Sequence, residues 1–191
     1  MAKINKTKYA ILGVLSLSPG SGYDIKKFCD LSIAHFWNEN YGHIYPVLKQ
    51  LEEEELVTKQ TETTEGKPPK HVYSLTAKGQ AELNEWLLQP VDVGTVRMEL
   101  LLKLFFGANI PLQNIITKLE AEKAQHQQLL ERFQATTEHI HTYHATGNRA
   151  DFPFWLATLN YGKHHSEAIV QWCTETLRQF EALKLKEETP K

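Results

Sequence analysis

A chain of 191 residues, 41% apolar and 23% charged, has the make-up of a globular protein and room for one ordinary domain or two small ones. No stretch approaches the roughly 18 apolar residues that a bilayer-spanning helix needs, and a net charge of −2 excludes a generally basic nucleic-acid binder. Cys29 and Cys173 are too few for a disulfide framework and lack metal-ligand spacing, so they read as reduced, buried thiols of a cytoplasmic protein.

The apolar run from Tyr9 to Leu17 is short and lacks a following small-residue cleavage pattern, so it reads as a mature helix and not as a signal. Its apolar positions suit a well-buried helix over 7–17, ended by Ser18-Pro19-Gly20. Ser21 can cap a second helix through "GYDIKKFCDLSIAHF". A third helix follows in "NENYGHIYPVLKQLEEEEL", with Ile44, Val47, Leu48, Leu51 and Leu56 turned inward. Pro46 requires that helix to start late: a beginning at about Gly42 keeps the proline near the amides that have no helical partner. "LVTKQTETT" and "HVYSLT" alternate and are rich in β-branched residues, and "EGKPPK" is the turn between them, so the pair reads as a hairpin. Thr76 then caps a fourth helix, "AKGQAELNEWLLQ".

Residues 90–95, "PVDVGT", read as a linker between a domain over 1–90 and a second over 91–191. Past it comes a short apolar helix, "VRMELLLKLFFG", and then a long helix opened by Pro111. Positions 112, 116, 119, 123, 126, 130, 133, 137, 140 and 144 alternate by four and three, a heptad seam with polar interruptions at His126 and His144. A final helix runs from about Phe154 to Leu185. Two long helices do not bury two faces by themselves, so Leu112, Ile116, Leu119, Leu130, Phe133, Ile140, Ile169 and Phe180 are expected at a homodimer seam. An intramolecular bundle is the other use of the same pattern.

Three helices and a two-stranded hairpin are the plan of a winged helix-turn-helix, so the fold class is mainly α: a winged helix followed by a long-helix domain. In that plan the third helix enters the major groove of double-stranded DNA and the hairpin tip reaches the backbone. Asn40, Tyr41, His43 and Tyr45 front the third helix, Lys49 follows one turn on, and Lys67 and Lys70 sit on the expected wing tip. Residues 1–90 hold ten Lys, no Arg and eleven Asp/Glu, so any such site is a local patch. That balance keeps a second reading open, a winged helix that binds a protein and not DNA. His139, His141, His144, His164 and His165 suggest a metal-dependent enzyme as a third, but no acidic or cysteine partner has ligand spacing, and no metal or other cofactor is expected. No Gly-rich phosphate loop, GxSxG or HExxH is present, so no enzyme is expected. Phe152, Phe154, Trp155, Tyr161 and Trp172 have the spacing of core or dimer packing. A pocket for a small aromatic effector, formed by Phe152, Trp155, Tyr161 and Trp172, is the alternative.

"YAILGVLS", "SGYDIKK", "GHIYPVLKQLEEEELV" and "KHVYSLTAKGQAELNEWL" together resemble the PadR family of bacterial transcriptional regulators over residues 7–88. Residues 96–186 are similar to the larger, AphA-like subgroup. The resemblance implies a homodimeric regulator, most often a repressor, that binds an inverted repeat through residues around Ile44, Tyr45 and Pro46 and through the wing lysines. It also implies dimerisation by the C-terminal helices and release of DNA by a phenolic or drug-like effector in some members. The wing departs from the family pattern: it carries lysine where arginine is usual, which suits phosphate contact better than bidentate base reading.

Overall fold

The computed structural model describes residues 5–38, 40–63, 69–92, 96–144 and 150–188. The chain divides into two units, Met1–Val93 and Gly94–Lys191. The first is built from α1 (Lys6–Leu17), α2 (Gly22–Ser32), α3 (Tyr41–Glu53), β1 (Val57–Glu62), β2 (Lys70–Leu75) and α4 (Ala77–Leu88). No described helix is long and apolar enough to cross a membrane.

Each helix of the first unit contributes one apolar face. Ile11, Leu12 and Leu15 of α1 meet Ile25 and Cys29 of α2, Ile44, Leu48 and Leu51 of α3, and Leu83 of α4. Side-chain caps fix where α2, α3 and α4 start. Ser21 accepts from the Asp24 amide while Asp24 accepts from the Ser21 amide, a reciprocal capping box. Thr76 caps α4 through the Gly79 amide.

The end of α3 is set by its backbone. Glu55 takes the left-handed conformation, φ 60°. Its amide donates to the Glu52 carbonyl and the Leu56 amide to the Leu51 carbonyl, the paired bonds of a Schellman turn. Glycine normally holds that position, and a side chain there costs roughly 1–2 kcal/mol. The turn is held from the far side by Thr76, whose hydroxyl donates to the carbonyls of Glu55 and Leu56 at 2.9 and 3.0 Å.

β1 and β2 pair antiparallel from Val57↔Leu75 to Glu62↔Lys70. Only Val57 of β1 is buried, so most of the hairpin stands off the core as a wing. Its root is tied back to the loop before α2. Gly20 and Tyr73 exchange both backbone hydrogen bonds, at 3.0 and 2.9 Å, like a one-residue third strand.

α1, α3 and α4 are joined by a polar network. Lys8 Nζ lies 2.9 Å from both Glu54 and Glu82, and the Tyr9 hydroxyl donates to Glu82 at 3.2 Å. The Tyr9 ring stacks on Trp86 with centroids 4.5 Å apart. Burial opposes the charge on Lys8, yet its bonds to Glu82 and Glu54 outweigh burial and raise its pKa.

The second unit comprises α5 (Glu99–Phe105), a 3-10 turn (Gly107–Asn109), α6 (Leu112–His144) and α7 (Phe152–Glu188). α6 and α7 form one antiparallel hairpin. Ile115, Ile116 and Leu119 bury against Cys173 and Leu177, and further along α6 His126 Nδ1 meets Ser166 Oγ at 3.0 Å. The polar break in the heptad pattern is therefore a buried, hydrogen-bonded pair between two helices of one chain.

That arrangement draws much of the expected seam into one chain. Ile116 and Leu119 are already buried within one chain, and Leu112, Ile169 and Phe180 pack on the same cluster. Phe133 is buried as well, while Leu130 and Ile140 are half-buried. The short connection to α7 keeps that helix at high local concentration, which favours the intrachain pairing. A run of apolar surface left exposed is α5, in which no residue is buried. Leu102 and Phe105 are 61% and 82% exposed, and Leu101, Phe106 and Ile110 are exposed beside them.

Candidate nucleic-acid interface

Helical spacing divides α3 into two faces. Ile44, Val47, Leu48 and Leu51 fill the core, and the opposite face carries Gly42, Tyr45, Pro46, Lys49 and Glu53, all exposed. Ile44 is 0% exposed, so it supports the helix and does not reach DNA, a correction to the expectation for that residue. Asn40 is the cap: its side-chain oxygen accepts from the His43 amide at 3.1 Å. The cap starts the helix at Tyr41, which makes Pro46 the sixth helical residue and places it beyond the first turn. The Gly42 carbonyl, four residues earlier, consequently has no helical amide to accept from. Gly42 and Pro46 are both exposed, so water can hydrate that carbonyl.

Tyr45 is half-exposed. Its ring lies over Gly22, the first residue of α2, where a Cβ would stand 2.7 Å from the ring. Glycine at 22 thus seats the tyrosine, and "SGYD" is both a cap and a platform. Gly22→Ala is expected to displace the Tyr45 ring while changing stability by less than about 1 kcal/mol, because the ring can swing into solvent. Ring resonances of Tyr45 and an unfolding curve check both halves of that expectation.

His43 and Lys49 are exposed on the same helix, and Lys49 pairs loosely with Glu53 at 3.7 Å. Tyr41 begins the helix; its side chain, like Lys67 of the wing turn, lies outside the described residues. Lys70 opens β2 at the last pair of the ladder, next to the wing turn. Its ammonium is 2.9 Å from Asp24 Oδ2, which also accepts from the Ser21 amide (2.9 Å) and hydroxyl (2.7 Å). The Ser21 amide, the Ser21 hydroxyl and Lys70 together hold the Asp24 pKa down to about 2. A depressed carboxyl stabilises the fold fully above its unfolded pKa. The contribution is therefore complete above about pH 4 and lost as pH falls toward 2. Solvent screening of this half-exposed pair keeps it below about 1 kcal/mol. Asp24 escapes a sequence reading because only its spacing from Ser21 is legible, and Lys70 is 46 positions away.

The four glutamates at the end of α3 face away from one another, each toward a different lysine. Glu52 approaches Lys59, Glu53 approaches Lys49, Glu54 pairs with Lys8 and Glu55 with Lys78.

The four aromatic residues expected at an effector pocket do not converge. Phe152 and Trp172 are 20 residues apart on one helix, about 30 Å. Trp172 packs on the α6–α7 cluster, whereas Tyr161 is exposed and stacks on His165. A groove of about 880 Å³ does lie between α6 and α7, floored by Leu130, Leu156 and Leu159 and rimmed by Glu131, Lys163 and Glu167, with none of the four in its lining. Among the described residues no group of three His, Cys, Asp or Glu is placed to hold a metal ion.

Two family descriptions match the chain, one to each unit. Residues 11–85 match the transcriptional regulator PadR-like family, and residues 96–181 match the virulence activator alpha C-terminal family. The negative transcriptional regulator PadR of Bacillus subtilis is 34% identical over 135 residues, 70% of this chain and 74% of that protein. The structure of B. subtilis PadR in complex with operator DNA superposes with a TM-score of 0.79 at 28% identity, covering 92% of this chain and 99% of that one. The Vibrio cholerae virulence activator AphA superposes at 0.71 and 28% identity, over 92% and 98% of the two chains. B. subtilis PadR in complex with p-coumaric acid does so at 0.68 and 27% identity, over 91% and 98%. With a helical core and a wing tied to the loop before α2 in its first unit and a helical hairpin in its second, the chain belongs to the PadR-like family of transcriptional regulators.

Proposed function

We propose that this regulator is a cytoplasmic repressor that binds an inverted-repeat operator as a homodimer, one α3 per half-site. The observation that carries the reading is the division of α3: an apolar face sealed in the core, and an outer face bearing His43, Tyr45 and Lys49 beside the wing. An exposed helix face of that composition, next to a solvent-facing hairpin, matches a major groove and its flanking phosphates. The DNA-bound relative supports the partner, and the name of the curated relative supports repression. The apolar surface of α5 supports a second copy of the chain. The complex of B. subtilis PadR with p-coumaric acid supports a small aromatic acid as the effector.

In a gel shift against its operator, the double variant Tyr45→Ala/Lys70→Ala is expected to bind at least tenfold more weakly than wild type, the loss of one contact on α3 and one at the wing in each half-site. Wild-type-like binding by that variant sinks the assignment of the surface. The same titration decides against a protein-binding winged helix: retention on DNA at low salt and release at high salt is the signature of phosphate contacts. p-Coumaric acid is expected to dissociate the complex, and dissociation by an unrelated aliphatic acid at equal concentration contradicts aromatic recognition.

A further inference from the structure

In the first unit, Lys6, Lys8, Lys26, Lys49, Lys59, Lys70 and Lys78 each lie within 4 Å of a carboxylate. The Lys70 pair differs from the rest in its place. It joins the turn-side end of the wing ladder to the first turn of α2, beside the Gly22 platform on which Tyr45 rests. It is also open to a competitor: the Lys70 and Asp24 side chains are 53% and 43% exposed, against 17% for Lys8. The Gly20–Tyr73 backbone pair brings the two segments together independently of these side chains, so the ammonium and the carboxylate are held opposite each other before DNA arrives.

We propose that Asp24 is a phosphate surrogate: in the free protein it occupies the Lys70 ammonium, and a DNA phosphate captures that ammonium only by displacing it. The inference rests on reading the α3 face and the wing as the DNA-facing surface. Exchange of one oxyanion for another yields little net attraction. When Lys70 leaves, moreover, Asp24 keeps its bonds to the Ser21 amide and hydroxyl and remains a charge repelling the incoming phosphate. Capture therefore favours DNA docked firmly through α3, and Asp24 suppresses binding to DNA of other sequence. Glu62, opposite Lys70 in the ladder, adds to the field at the ammonium without a bond to it.

The test is fluorescence anisotropy on a duplex of random sequence, titrated across salt. Asp24→Asn removes the charge and leaves an oxygen to accept from the Ser21 amide. It is expected to bind several-fold tighter than wild type, with a log–log salt slope steeper by about 0.9 for each wing engaged. Lys70→Met is expected to cancel that gain in the double variant. Glu62→Gln removes an equal charge from the same strand pair and is expected to leave the slope unchanged. Ser21→Ala loosens the cap but keeps the carboxylate, so any effect of a weakened α2 shows there with the slope intact. An Asp24→Asn protein with wild-type affinity and slope overturns the proposal, as does a gain that survives Lys70→Met or is matched by Glu62→Gln. Failure of the wild-type protein to bind duplex even at low salt sinks the DNA-facing surface itself. Steep salt dependence in wild type with no response to Asp24→Asn sinks only the role of Asp24.

Discussion

A Gly79→Ala substitution is expected to cost about 3 kcal/mol and to lower the melting temperature of the first unit by roughly 15 °C. The added Cβ would stand 2.1 Å from the Leu56 carbonyl oxygen and 2.7 Å from Leu75 Cδ1. The oxygen has no freedom to retreat, because it also accepts from the Thr76 amide at 3.1 Å and the Thr76 hydroxyl at 3.0 Å. Nor does α4 have freedom to slide, since Thr76 caps it through the Gly79 amide. Gly13 in α1 is the internal control. A Cβ there meets nothing within 4 Å, so Gly13→Ala is expected to stabilise by up to about 1 kcal/mol. Urea unfolding of both variants measures the contrast, and equal midpoints would falsify the account of Gly79.

The second large effect is expected on α5. Leu102→Glu/Phe105→Glu puts two carboxylates on the apolar surface that no part of its own helix covers. If a second copy covers it, the variant is expected to sediment as a monomer while both units stay folded. Operator affinity then falls at least about 100-fold, because the second half-site is no longer engaged at the effective concentration that a joined partner supplies. Sedimentation and a gel shift on one sample separate the two consequences. A dimeric variant with full affinity refutes α5 as the contact.

The N-terminal architecture was legible because its signals are local. Ser21, Thr76 and the Thr/Val alternation of the hairpin act within a few residues, and period 3.6 sorted Val47, Leu48 and Leu51 from Tyr45 and Lys49. The proline points to a start of α3 at about Gly42, and the Asn40 cap sets it one residue earlier, at Tyr41. Ile44 carries two opposed signals, a family resemblance that points outward and a periodicity that points inward, and it is buried. The heptad pattern on α6 is met by α7 of the same chain, the intramolecular use of the pattern. A seam specifies that a helix is needed opposite and says nothing about whose helix it is. The Asp24–Lys70 and Gly22–Tyr45 pairs were invisible because each joins segments whose proximity only the fold creates.

The closure of the α6–α7 seam within one chain bears on how the regulator turns over in a cell. If the chain pairs as proposed, a hydrophobic hairpin already closed within one chain makes association a docking of folded bodies and not a joint folding event. Two populations carrying different tags, mixed at native pH, are therefore expected to trade partners without denaturant. A newly made or altered subunit then enters the existing pool directly, and the amount of DNA-competent pairs follows roughly the square of subunit concentration when that concentration is low.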